Sequence, residues 1–339
     1  MPLRIGILGY GSMAGFHENL IARVRGIELV AVADPTPARR KAAADKGIAR
    51  VYGSEAELLA DREVEAVVVA TPSNLHARNV IACARAGKHV MTEKPMALSA
   101  AEARAMIAAA KRAGVVFTVF HNRRYDADYL TVRRAVESSL LGRIYTIESR
   151  ISMWSSPARW GSADWRPWRI EKRYGGGGLY DWGSHLVDQM LQMVPSRAVS
   201  VYANLQTGAW AEPGVDDYAK GMVDFANGVT ALVEVNYMAK YPLPRWYVVG
   251  EKGTLKQDAG TDGKVRFRSG SSDLAQDLKP VAGDPAIIYS TWRDAIAGKG
   301  KPAVEPEQVL RAVRVIEAFH RSSATKQAVR LEGRGGRRR

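Results

Sequence analysis

The first 120 residues alternate between short apolar runs and stretches in which apolar positions recur every three or four residues. "RIGIL", "IELVAVA", "VEAVVVA", "HVMT" and "VVFTVF" have strand length and little polar interruption, the pattern of strands buried on both faces. Between them, "SMAGFHENLIARV", "NLHARNVIACARAG" and "SAAEARAMIAAAKRAG" have helical spacing, the last opened by Ser99 and Glu102 as a capping box. This alternation predicts a parallel, doubly wound α/β sheet over residues 1–121. From about residue 122 the pattern changes. A helix over "YLTVRRAVESSLLG" leads into the strand-like runs "RIYTIESRISMW", "SVYANLQTG", "YAKGMVDFANGVTALVEVNYM", "RWYVVGEKGTLKQD" and "KVRFRSG", with Asn227-Gly228 as a hairpin turn. Strands joined by short turns predict an antiparallel sheet over 122–330, closed by a helix at 306–323 that is expected to pack back on the first domain.

Composition narrows the functional classes. A chain of 339 residues suits two domains, and 46% hydrophobic with 25% charged residues is ordinary for a globular protein. No apolar run approaches the roughly 20 residues of a membrane span. "MPLRIGILGYG" reads as a first strand, not a signal peptide. Cys83, the one cysteine, excludes an internal disulfide, fits a reducing cytoplasm and reads as packing. The net charge of +14 falls to +10 without Arg334, Arg337, Arg338 and Arg339 of a tail (331–339) expected to be disordered. No helix-turn-helix, zinc-knuckle or RNP-like pattern accompanies it, so nucleic acid is a minor alternative, marked by salt-dependent binding lost on truncation.

The motif Gly9-Tyr10-Gly11-Ser12-Met13-Ala14 joins the first strand to the first helix. Gly9 permits a tight turn, Gly11 admits a pyrophosphate, Ala14 keeps the helix close to the sheet, and the helix N-terminus offers amides to phosphate. Asp34, 25 residues after Gly9 at the end of the second strand, suits an adenosine ribose. Its carboxylate would repel a 2′-phosphate by roughly 4 kcal/mol at 4 Å and an effective dielectric of 20, before screening. That favours NAD; Arg39, Arg40 and Lys41 leave NADP open. Gly9, Asp34, Thr71, Glu93-Lys94 and His121-Asn122 all fall at the C-terminal ends of strands, where ligands of such sheets bind.

With "ATPSNLHA" (70–77), "AGKHVMTEKPMA" (86–97), "HNRRYD" (121–126) and "GGGGLYDWGSHLVDQ" (175–189), these motifs resemble the Gfo/Idh/MocA oxidoreductases over nearly the whole chain. The resemblance implies an NAD(P)-binding Rossmann domain and a C-terminal α+β domain whose open, mostly antiparallel sheet covers substrate with one face. The other face often forms a dimer, so a homodimer or homotetramer is expected. It also implies that Lys94 is a catalytic lysine, that Asp181 and His185 complete the site, and that the Lys94-Pro95 bond is cis. Cofactor contacts are expected from Gly9, Tyr10, Gly11, Ser12, Met13, Ala14, Asp34, Arg39, Thr71, Pro72, Ser73, Asn74, His76, Glu93, Lys94 and Asn122.

The residue types fit alcohol oxidation. The nicotinamide takes the hydride, so the protein must position the carbon and manage a proton. An imidazole, with an ordinary pKa near 6.5, suits the proton acceptor, and an ammonium favours alkoxide-like charge. His185 and Lys94 are assigned these roles, with Asp181 orienting either; which of the two is the immediate base stays open. The bland alternatives are that Asp181 caps a helix and that His185 is an interior histidine. Asp188, on the same stripe, is read as support in preference to a metal ligand. The four glycines suggest close approach or positive φ, with a flexible surface turn as the alternative.

In the second domain, Trp154, Trp160, Trp165 and Trp168 alternate with Arg159, Arg166 and Arg169. Indole faces suit sugar rings, and aromatic packing is the competing reading. Trp154, Trp165, Arg123, Asn236 and Tyr237 join Lys94, Asp181 and His185 as candidate substrate contacts. The sequence thus predicts an NAD(P)-dependent oxidoreductase acting on a cyclic polyol, sugar or sugar derivative. Its rivals are a glycoside-cleaving enzyme working through a transient keto-sugar and a non-catalytic NAD or sugar sensor.

Overall fold

The computed structural model describes residues 1–156, 168–259, 263–272 and 274–331. Its first part runs β1 (Leu3–Leu8), α1 (Ser12–Arg23), β2 (Ile27–Ala33), α2 (Pro37–Asp45), β3 (Arg50–Tyr52), α3 (Glu55–Ala60), β4 (Ala66–Val69), α4 (His76–Arg85), β5 (His89–Thr92), α5 (Ala100–Ala113) and β6 (Phe117–Val119). The second part runs α6 (Ala127–Glu137), β7 (Ile144–Ser152), α7 (Ser184–Met193), β8 (Ala198–Gln206), β9 (Tyr218–Phe225), β10 (Thr230–Asn236), β11 (Trp246–Gly250), β12 (Gly253–Gln257), β13 (Arg266–Ser269) and β14 (Ala275–Asp277). Helices α8 (Ala286–Ile296) and α9 (Pro306–Thr325) and the short β15 (Val329–Arg330) follow. The chain divides into two compact units: one of residues 1–122 with 284–313, the other of 123–156 with 168–283 and 314–331.

The first unit holds a six-stranded sheet in the order β3-β2-β1-β4-β5-β6, parallel at every pairing. Its central strands have side chains of Ile5, Ile7, Val67 and Val68 wholly out of water, as apolar runs covered on both faces require. Each such side chain contributes about 1.5–3 kcal/mol by burial. Ser54 and Ser99 cap α3 and α5, each accepting from the amide three residues on, and Gly114 in the left-handed region ends α5. Of the expected Ser99–Glu102 capping box the Ser99 half is present, while the Glu102 carboxylate accepts from the Leu98 amide, one residue before the cap, at 3.0 Å.

The second unit holds a nine-stranded sheet in the order β14-β13-β12-β11-β7-β10-β9-β8-β15. Every pairing is antiparallel except β7 with β10, so the sheet is mixed. Along β9, Ala219, Gly221, Val223 and Phe225 point to the covered face, and Tyr218, Lys220, Met222 and Asp224 to the other. A Cβ on Gly221 would lie 2.5 Å from the ring of Phe319, so α9 packs on that face with its aromatic side chain against bare backbone. Asn227-Gly228 forms the predicted hairpin turn, with Gly228 at φ 84°.

Candidate active site

The parallel register aligns one edge of the first unit's sheet. Leu8 is level with Ala33 and with Val69, Val69 with Thr92, and Thr92 with Val119. The residues following these strand ends, Gly9, Asp34, Thr71, Glu93-Lys94 and His121-Asn122, therefore line a single edge. The strand order reverses between β1 and β4, the topological switch point at which such sheets bind ligands.

Gly9 has φ 95°, and a Cβ there would sit 2.7 Å from the Ala70 carbonyl oxygen, so the turn into α1 admits no side chain. Unlike α3 and α5, α1 begins with no side-chain cap and no acidic residue in its first turn. Apart from the Ala14 amide, which donates to the Gly11 carbonyl at 3.0 Å, its leading amides and its dipole are thus available to an anion. Ala14 is buried where α1 meets the sheet. Asp34 is buried, and its two carboxylate oxygens accept from the amides of Tyr10 and Thr36, both at 2.8 Å. Arg39 approaches the same carboxylate at 3.4 Å, and Arg40 donates to the Asp34 and Pro35 carbonyls. The uncapped helix end and the tethered carboxylate together fit a dinucleotide: pyrophosphate at the first, ribose hydroxyls at the remaining lone pairs of the second.

The Thr71 and Lys94 turns are tied together. His76 is buried, with Nδ1 2.8 Å from the Pro95 carbonyl and Nε2 2.9 Å from the Thr71 carbonyl. Both ring nitrogens of His76 face backbone carbonyls, of which a neutral ring donates to one, and burial pushes its pKa down. Ser73 is buried, whereas Asn74 is exposed. Lys94 is half-buried, and its bond to Pro95 is cis, as the resemblance implied. Its amide donates to Glu93 Oε2 at 3.0 Å. Burial alone would raise the Glu93 pKa, but its hydrogen bond and charge interaction with His17, then Lys94, bring it below the ordinary carboxylate range. Cys83 is fully buried and burial raises its thiol pKa, consistent with packing and not reactivity.

In the second unit the four glycines 175–178 are all buried, which rules out a flexible surface turn. Gly175 and Gly177 have φ 74° and 119°. A Cβ on Gly176 would meet the Arg169 carbonyl at 2.6 Å, one on Gly177 would meet Asp216 Oδ1 at 2.3 Å, and one on Gly178 would meet Val235 at 2.9 Å. The glycines are there because the protein's own backbone, Asp216 and sheet press against the chain. Asp216, itself buried, accepts from the Leu179 amide at 2.7 Å.

This anchored loop leads into a π-helical turn, Leu179–Gly183, continuous with α7. Asp181 lies in that turn and His185 at the second position of α7, the latter 4% exposed. Neither helical segment has a side-chain cap, so Asp181 is not capping; its carboxylate faces Arg169 Nε at 3.6 Å. π-Turns are frequent at functional sites because they displace side chains from regular spacing. Asp188 receives both Nε and an Nη of the buried Arg124 at 2.7 Å, a bidentate ion pair that suits a supporting residue. Arg123 finds a carboxylate partner in Asp126 at 2.8 Å and lies over the Trp182 ring at 4.1 Å.

Of the other candidates, Trp154 is half exposed, edge-on to Trp210 with Lys240 over its ring. Asn236 accepts from the Met238 amide and so shapes the strand end, and Tyr237 is fully buried below it. Trp160, Trp165, Arg159 and Arg166 lie outside the described residues. Sequence reasoning missed His17, Tyr289 and Asp216, whose roles depend on partners far away in the chain. Among the described residues no helix is long and apolar enough to cross a membrane, and no group of three His, Cys, Asp or Glu side chains is placed to hold a metal.

Known proteins agree with this architecture. Residues 3–121 match the model of an oxidoreductase family with an NAD-binding Rossmann fold, and residues 129–256 match the GFO/IDH/MocA C-terminal domain. The chain is 30% identical to a 1,5-anhydro-D-fructose reductase of Ensifer adhaerens, over 97% of this chain and 98% of that protein. It is 29% identical to the scyllo-inositol 2-dehydrogenase (NADP(+)) IolW of Bacillus subtilis, over 97% and 96%. The crystal structure of an NAD-binding protein from Listeria innocua superposes with a TM-score of 0.87 at 34% identity, covering 97% of both chains. The chain belongs to the Gfo/Idh/MocA family of NAD-binding oxidoreductases.

Proposed function

We propose that this oxidoreductase transfers a hydride between a nicotinamide dinucleotide and a secondary alcohol or ketone of a cyclic polyol, sugar or sugar derivative. The observation that carries the reading is the buried imidazole of His185 following Asp181 at the head of α7, in a family whose relatives include an inositol dehydrogenase and a sugar reductase. A nicotinamide dinucleotide held at the α1 N-terminus, the Gly9 turn and Asp34 would supply the hydride acceptor. His185 takes the hydroxyl proton, Lys94 stabilises the negative charge left on that oxygen, and Asp181 fixes the orientation of the cationic groups. Scanning inositols, monosaccharides and glycosides with NAD and NADP is expected to give substrate-dependent nicotinamide absorbance. No response to any member with either cofactor would defeat the proposal.

NAD is proposed as the preferred cofactor. The Asp34 carboxylate is held by two backbone amides, which supports its staying in place to oppose a 2′-phosphate. Asp34→Asn keeps the side-chain size and one acceptor while removing the charge. It is expected to shift the NADPH-to-NADH ratio of dissociation constants toward NADPH by roughly 10–100-fold, a screened fraction of the close-range Coulomb energy. Fluorescence titration checks this, and an unchanged ratio would remove Asp34 as the discriminator.

A further inference from the structure

His17 of α1 has no exposure to solvent although it stands between Phe16 and Glu18 on an amphipathic helix. Its Nδ1 is 2.7 Å from the hydroxyl of Tyr289 on α8, and its Nε2 is 3.0 Å from Glu93 Oε1. The Phe120 ring closes over it, with centroids 4.6 Å apart. The other Glu93 oxygen, Oε2, accepts the Lys94 amide. One carboxylate therefore has a buried imidazole on one oxygen and the backbone of the proposed catalytic lysine on the other.

We propose that His17, braced by Tyr289, is a positioning residue for Lys94 that acts through Glu93. This rests on the assignment of Lys94 under the proposed function. An ionised carboxylate only accepts, so Nε2 is the donor whatever the ring's charge; in the neutral ring Nδ1 then accepts from the Tyr289 hydroxyl. Burial pushes the tyrosine pKa well up, so that hydroxyl keeps its proton. Glu93, fixed by a charge-assisted bond, has no freedom to rotate away from the Lys94 amide. Because His17 lies on the helix that begins at the dinucleotide glycines, the same side chain links the two halves of the first unit's candidate machinery: the helix proposed to meet the pyrophosphate and the turn that carries the lysine.

The test is amide hydrogen exchange on the full-length protein, with NADH affinity by fluorescence and kcat and KM on a substrate found in the panel. In His17→Phe, which keeps the volume and removes both hydrogen bonds, the Lys94 amide is expected to exchange about 10–100-fold faster, the factor carried by a hydrogen bond to a charged group. The Val90 and Met91 amides in the neighbouring strand keep their rates, NADH dissociation stays within about threefold, and kcat falls by a similar 10–100-fold with KM little changed. His17→Gln, which can still donate to Glu93, restores most of both. Tyr289→Phe, which leaves the imidazole in place, gives a smaller change in the same direction, about 2–10-fold. Unchanged Lys94 exchange in His17→Phe and Tyr289→Phe, or uniform acceleration including Val90 and Met91, would overturn the proposal. The exchange readout needs no substrate, so an unresponsive panel would defeat the hydride-transfer reading and leave this one to be decided separately.

Discussion

Replacing Lys94 with Met, or His185 with Phe, is expected to lower turnover by about 10²–10⁴-fold, the range of a positioned proton acceptor or a preorganised charge aimed at a developing oxyanion. NADH affinity is expected to stay within a few-fold in both. The physical reason is a division of labour. The dinucleotide is proposed to be held at the uncapped α1 terminus, the Gly9 turn and Asp34, all distant in sequence from either replaced side chain. On the proposed mechanism Lys94 and His185 act on the substrate oxygen, where charge develops only as the carbon–hydrogen bond breaks. The double variant is expected to be about as impaired as the worse single one, since groups serving one proton step are non-additive. Steady-state kinetics with parallel NADH titration checks all three statements. Near-normal kcat in both single variants would remove these residues from the chemistry.

The parts of this arrangement that could be read from sequence are those whose cause is local. A strand, a glycine turn, an apolar helix and Asp34 follow one another within one strand–helix–strand unit, and the register places the strand ends level as the alternation implied. The parallel pairing of β7 with β10 was not legible, because nearly 80 residues separate the two strands and nothing local marks it. Nor were β3, three half-buried residues, and β14, which is fully exposed, since neither has a hydrophobic period to detect. The glycine run shows the same limit at the site. Its composition announced positive φ or close approach, but the objects approached are Asp216, Val235 and the Arg169 carbonyl, fixed by tertiary structure. His17 reads in sequence as one polar position in a helix; only its partners 76 and 272 residues away give it a role.

Asp216 yields the second large effect, and it depends on pH. Burial pushes its carboxyl pKa up to about 7, against an ordinary value of 3.8, with the Leu179 amide opposing. In the folded protein the group therefore keeps its proton at pH values where the unfolded chain has lost it. Its contribution to stability is fully present below about pH 4 and is lost as pH rises to about 7, above which the loss is constant. Between pH 5 and pH 8 this amounts to roughly 2–3 kcal/mol, from 1.36 kcal/mol per unit of pKa difference. Asp216→Asn retains an oxygen for the Leu179 amide and has no proton to release. In urea unfolding its stability relative to the unmodified protein is expected to improve by that amount on going from pH 5 to pH 8, with the two closest at the acid end. Because Leu179 opens the π-turn bearing Asp181, the loss should surface first as faster amide exchange in residues 179–185 at high pH, suppressed in Asp216→Asn. A pH-independent difference between the two proteins would mean that Asp216 is already ionised in the fold, and that the glycine loop is packed around a charge and not around a neutral acid.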